Sequence, residues 1–186
     1  MNVINADLRK ILNNRIIKSM SIIDWGKCMA RPSELIQTEL LSHCGLEINY
    51  SNTKNNSPGF DILVKNKAGE LKRVQSKLRQ VKGKTDFSRQ IHFETTRRHS
   101  NKNEGASSGR GHVVYSHDEF DYVMVSLINV RDGLGQRNNL DLWSFSIVPI
   151  NELIDSANGC CLNKIPSNIL KKYKYIINPN IPPNFV

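Results

Sequence analysis

The segment from Phe60 to Leu78, FDILVKNKAGELKRVQSKL, constrains the fold more than any other stretch, because its two halves are spaced to pair across a tight turn. Asn66 suits the first position of a type I turn, and Gly69 suits the left-handed residue that closes it. With Lys67 to Gly69 as a three-residue loop ending in a G1 bulge, Asn66 faces Glu70 and Asp61 falls opposite Gln75. Alternation along the strands then brings Asp61, Gln75 and Lys77 to one face. Phe60, Ile62, Val64, Val74 and Leu78 make the other, apolar face, with Lys72 and Ser76 as exceptions. A two-residue Ala68-Gly69 loop is the competing reading. It would flip the parity and turn Asp61 away from Lys77.

Upstream, Asn5 caps an expected first helix with Leu8, Ile11, Leu12 and Ile16 as its apolar stripe. A second helix over Ser33 to Cys44 is opened by Pro32 and closed by Gly45 as a left-handed cap, and a short strand, Leu46 to Tyr50, follows. Ser51 to Gly59 and Ser100 to Gly111 have loop composition, and Thr85 to His99 stays open between strand and helix. Phe120 to Asn129 reads as a buried central strand and Leu140 to Val148 as a further strand, with a short helix from Asn151 to Ser156. In the proline-rich tail only Ser167 to Lys174 has a helical pattern. The order of elements predicts an α/β fold with a mixed central sheet and flanking helices. The expected organisation is one domain over 1–186, with a core of about 32–156, an N-terminal helical segment over 1–31 and a C-terminal tail over 157–186.

The four cysteines show no zinc or disulfide spacing, which predicts reduced thiols. No run of about 18 apolar residues occurs and Met1 to Met20 lacks the apolar stretch of a signal peptide, so a cytoplasmic protein without membrane segments is expected. The net charge of +9 is uneven. Lys72, Arg73, Lys77, Arg79, Lys82, Lys84, Arg89, Arg97 and Arg98 lie within one stretch against only Asp86 and Glu94. A band of that kind favours a polyanion, because each phosphate it neutralises releases counterions.

A carboxylate and an amide oxygen on neighbouring strands make an oxygen-rich pocket suited to a hard cation such as Mg²⁺. Lys77 beside them would stabilise phosphate charge or orient an attacking water. One carboxylate holds a metal weakly, and the helix before the hairpin offers Glu34 and Glu39. Glu39, read between Leu35 and Ile36 on the helical wheel, is placed nearer the buried face and preferred; Glu34 is placed towards the polar side.

A helix glutamate, then Gly59-Phe60-Asp61, then Val74-Gln75-Ser76-Lys77 on the paired strand resembles the PD-(D/E)xK nuclease superfamily. Gln75 stands where the usual pattern has an acid, a QxK form similar to that of Mrr-type restriction nucleases. The resemblance covers about Pro32 to Ser156 and implies a restriction-endonuclease-like core. After that core little chain is left for reading bases, and the whole resembles the small subunit of a heterodimeric type IIS restriction endonuclease. Such a resemblance implies an Mg²⁺-dependent subunit cutting one strand of double-stranded DNA, with a larger nicking subunit supplying recognition. It also implies that Asp61, Gln75 and Glu39 bind metal, that Lys77 is the catalytic lysine, and that Arg73, Arg79, Arg97 and Arg98 contact phosphates. Two other readings compete. His92, His99, His112 and His117 with Asn101 and Asn103 suggest an HNH nuclease, and a basic DNA-binding or scaffolding module would reduce Asp61 and Lys77 to a cross-strand ion pair.

Overall fold

The computed structural model describes residues 30–49, 60–81, 85–92, 96–98, 112–114, 118–129, 143–154, 164–176 and 183. The expected N-terminal helix, the loop over Ser100 to Gly111 and the turn at 132–135 lie outside these residues.

Helix α1 spans Ala30–His43 and ends as the glycine predicts. Gly45 sits at φ +84°, its N–H donates to the Ser42 carbonyl at 2.9 Å, and the Leu46 N–H reaches the Leu41 carbonyl at 3.3 Å. This is the paired hydrogen bonding of a Schellman motif, and Leu41 and Leu46 are both buried beside it. Strand β1, Glu47–Asn49, follows at once.

Strands β2, Ile62–Lys65, and β3, Leu71–Val81, form the hairpin. Gly69 at φ +87° closes a turn in which the Gly69 N–H donates to the Asn66 carbonyl and the Asn66 N–H to the Glu70 carbonyl, both at 2.9 Å. The Asn66 side chain ties the turn further, accepting from the Glu70 N–H at 2.8 Å and donating to the Glu70 carboxylate at 2.8 Å. Ile62 pairs with Val74, Leu63 with Arg73, Val64 with Lys72 and Lys65 with Leu71. The loop is therefore Lys67 to Gly69, and the two-residue alternative is excluded by the register.

The central sheet runs β1-β2-β3-β7-β8-β10, where β7 is Tyr122–Asn129, β8 is Ser144–Pro149 and β10 is Lys174–Tyr175. β3 and β7 are parallel and the other pairs antiparallel, so the sheet is mixed as expected. β4, Ile91–His92, pairs with β9, Lys164–Ile165, and β5, Thr96–Arg98, pairs with β6, His112–Val114. The stretch left open between strand and helix thus contributes two short strands. After β8 a 3-10 turn covers Ile150–Leu153, and a helix α2 covers Ser167–Lys172. Beyond 156, residues 164–176 pack onto the sheet: Ile165 and Leu170 are fully buried, and β10 supplies one edge. Two-residue strands carry too little pattern to be read from sequence, which is why this return was expected only as a helix.

Two apolar cores lie on the two faces of the sheet, as strand alternation requires. Val74, Tyr122, Met124, Ile128, Phe145 and Ile147 pack with Ile36, Leu40 and Leu41 of α1 on one face. Val123, Val125, Leu127 and Val148 pack with Phe87, Ile91, Phe120, Leu153, Ile165 and Leu170 on the other. Among the described residues, no helix is long and apolar enough to cross a membrane.

Candidate active site on the hairpin

The ladder between β2 and β3 stops at Ile62, and the reason is local. The Asp61 N–H donates to the Val74 carbonyl at 3.0 Å, so both Asp61 and Ile62 face Val74, the two-against-one count of a β-bulge. The extra residue shifts the parity of Phe60, the described residue before it. Phe60, expected beside Ile62, packs instead with the core on the other face. This corrects the straight ladder read from the sequence.

The bulge frees the Asp61 carboxylate to act where the next rung would be. Its Oδ2 accepts from the Ser76 N–H at 2.8 Å and from Gln75 Nε2 at 2.5 Å. Asp61 is half-buried, whereas Gln75 is only 5 % exposed. A strong acceptor with two donors aimed at it in a partly desolvated place is held in one orientation. Register carries the rest of the site: Gln75 lies beside Val123 and Lys77 beside Val125, so both face the core lined by those valines. Lys77 is half-buried on that face. Asp61 and Gln75 are thus brought together as expected, with Lys77 two residues further along the same side of β3.

The helix acids are placed differently. α1 packs through Ile36, Leu40 and Leu41 on the face opposite Gln75 and Lys77. Glu39 is exposed and Glu34 half-buried, the reverse of the expected order. The wheel misplaced Glu39 because the buried stripe includes polar residues: Ser33, Gln37 and Thr38 are all buried with Ile36, Leu40 and Leu41. Gln37 turns inward to donate to Ser126 Oγ at 2.6 Å and to the Met124 carbonyl at 3.2 Å. A stripe drawn from leucines and isoleucines alone is centred too far towards Leu35.

The four arginines also separate. Arg73 is taken up within the protein: Nε and Nη2 reach the two oxygens of Asp121 at 3.2 and 2.8 Å, its backbone N–H reaches Oδ2 at 2.7 Å, and Nη1 donates to the Asp118 carbonyl. Burial alone would raise the Asp121 carboxyl, but the Arg73 hydrogen bonds and charge outweigh it and hold the group below its ordinary value. An arginine so engaged fastens the start of β7 to β3. Sequence could not show this, since nothing in Phe120-Asp121-Tyr122 marks Asp121 as its partner. Arg79 is half-buried on the Lys77 side of β3, with Nη1 donating to the Leu78 carbonyl at 3.2 Å. Arg97 and Arg98 lie on β5, paired with Val113 and His112.

Among the described residues, no three of His, Cys, Asp and Glu converge. His92 and His112 stand on β4 and β6, in different two-stranded sheets, while His99 and His117 lie outside the described residues. The buried Cys44 thiol is raised above its ordinary pKa by burial against the opposing hydrogen bond with Tyr175.

No family model and no curated protein matches the chain. Among solved structures, the bacterial homing endonuclease I-Ssp6803I superposes with a TM-score of 0.40 and 11% identity, over 82% of this chain and 78% of that one. No function is carried across from so loose an overlap.

Proposed function

We propose that this chain is an Mg²⁺-dependent endonuclease subunit that hydrolyses a phosphodiester bond in one strand of duplex DNA, with site recognition supplied by a larger partner subunit. The observation that carries the reading is the Asp61 carboxylate held at 2.5 Å from the Gln75 amide, on a hairpin that places Lys77 on the same side. The resemblance to the QxK form of the PD-(D/E)xK nucleases supports it, and with it a type IIS heterodimer acting in the cytoplasm.

The donor set fits the ion. Mg²⁺ is commonly held by one or two carboxylates while keeping several waters and taking up substrate phosphate oxygens. Asp61 would hold it here together with the Gln75 amide, once that amide turns its oxygen in place of the nitrogen that now donates to Asp61, and the bound ion would lend positive charge to the scissile phosphate. Asp61 keeps its orientation through the Ser76 N–H, which leaves its carboxylate directed at the Gln75 side. Gln75, being neutral at every working pH, orients but does not take a proton. Lys77 supplies a fixed positive charge near the phosphate and positions the attacking water. Glu39 and Arg73, expected members of the site, have no part in this mechanism: one is exposed on the opposite face and the other is bound to Asp121.

The decisive experiment mixes the chain with its large nicking partner, Mg²⁺ and a duplex carrying the site. Second-strand cleavage is expected, and Lys77→Ala should slow it roughly 100-fold or more while the partner still nicks its own strand. A mixture that never cuts a second strand would mean a non-catalytic basic module.

A further inference from the structure

At the end of the sheet where β7 begins and β8 finishes lies an open cleft of about 490 Å³ that the hairpin site does not use. Among the described residues its lining combines the partly exposed rings of Tyr173 and Tyr175 and the buried Tyr122 with the exposed Lys172 and Lys174. We propose that this cleft binds one nucleotide of an unpaired nucleic-acid strand, with the base against the tyrosine rings and the phosphate on the lysines.

Its size falls within the range of small-ligand sites, which are largely apolar with a few placed polar groups. Aromatic rings receive any base through its π-face, and neighbouring cations receive the phosphate, the pairing used by proteins that hold single strands. The parts are already fixed. Glu152 accepts from Lys172 Nζ at 2.8 Å and from the Tyr173 hydroxyl at 2.7 Å, holding the ammonium 5.0 Å from the Tyr173 ring centroid. Tyr175 is anchored on the far side by a 2.7 Å contact between its hydroxyl and Cys44 Sγ. Lys174 is exposed, and so is Asn151, whose amide can pair with a base edge. An acidic peptide would find the two cations but leave the Tyr173 and Tyr175 rings unused, so a nucleotide fits the lining better. Tyr122 pairs with Val74 and lies with it on the face opposite Gln75 and Lys77, so the cleft is a separate site from the hairpin.

The test is binding of fluorescein-labelled hexadeoxythymidylate to the whole chain, by anisotropy, in buffer with EDTA. Without metal there is no cleavage, so the outcome does not depend on whether the chain is a nuclease. Lys174→Glu should weaken binding at least fivefold and lower the salt slope by roughly 0.7 for each phosphate it no longer neutralises. Lys164→Glu, an exposed change on β9, should leave binding unchanged. Asn151→Trp fills the mouth from an exposed position and should abolish binding, which guards against a folding defect in the lysine variant. Equal loss in Lys174→Glu and Lys164→Glu would mean diffuse attraction and overturn the site. So would an abasic hexamer that binds as tightly as the intact one, or polyglutamate that displaces it with equal strength.

Discussion

Gln75 stands where the nuclease pattern this chain resembles has an acid, and its burial disfavours a second charge there. A second carboxylate at a position only 5 % exposed, 2.5 Å from Asp61, would set two like charges together in a partly dry place. Without metal one of them would have to keep a proton. The amide avoids that repulsion by donating to its neighbour, at the expense of charge for the cation. Gln75→Glu should therefore tighten Mg²⁺ or Mn²⁺ by roughly tenfold and lower stability in metal-free buffer, whereas Asp61→Asn should lose metal binding; isothermal titration paired with urea melts reads both. Equal metal affinity in Asp61→Asn and wild type would remove Asp61 from the site. The meeting of these two side chains was legible because Asn66 and Gly69 fix the turn and the turn fixes the register. The bulge at Asp61 was not, since its cause is a hydrogen bond to Val74 that leaves no mark in residue type.

Among the elements, the β2-β3 hairpin and the β3-β7 pair rest on different fasteners. The hairpin depends on Gly69 at φ +87°, where a side chain costs roughly 1 to 2 kcal/mol. Gly69→Ala should lower stability by about that amount in urea melts, with the slope unchanged. The parallel pair depends on Arg73 and Asp121, whose side chains are about a third exposed, 34% and 31%. Asp121→Asn should cost on the order of 1 to 2 kcal/mol near neutral pH, between an exposed pair and a buried charged hydrogen bond. The Asp121 carboxyl is depressed in the folded state, so its contribution is full above the unfolded value of about 3.9 and is lost as pH falls through the lower folded value. Wild type should consequently lose stability below about pH 5 more steeply than Asp121→Asn; parallel pH profiles would show the pair to be idle. Strong end signals made α1 readable, Pro32 at its start and Gly45 at its end. Its facing was misread because Gln37, a polar residue, is buried to bond Ser126. β10 was missed because two residues carry no period, and it is the neighbouring β8 that makes Lys174 and Tyr175 a strand.

For the molecule as a whole, part of the basic band is engaged within the fold: Arg73 pairs with Asp121 at 2.8 Å and Lys72 with Glu70 at 3.2 Å. Duplex binding should fall linearly with the logarithm of salt, by about 0.9 for each phosphate neutralised. Arg79→Ala should reduce that slope by about one, while Arg73→Ala should leave it unchanged and lower the melting temperature instead. A salt-independent affinity would dismiss the band as a DNA surface. The rung that Asp61 supplies to the sheet has one more consequence. Where β2 gives out, a carboxylate stands in for a main-chain carbonyl, so the side chain proposed to hold the metal is also an end-piece of the scaffold. Folding and the proposed catalysis therefore draw on the same carboxylate, and a variant that silences one by deleting it also loosens the other.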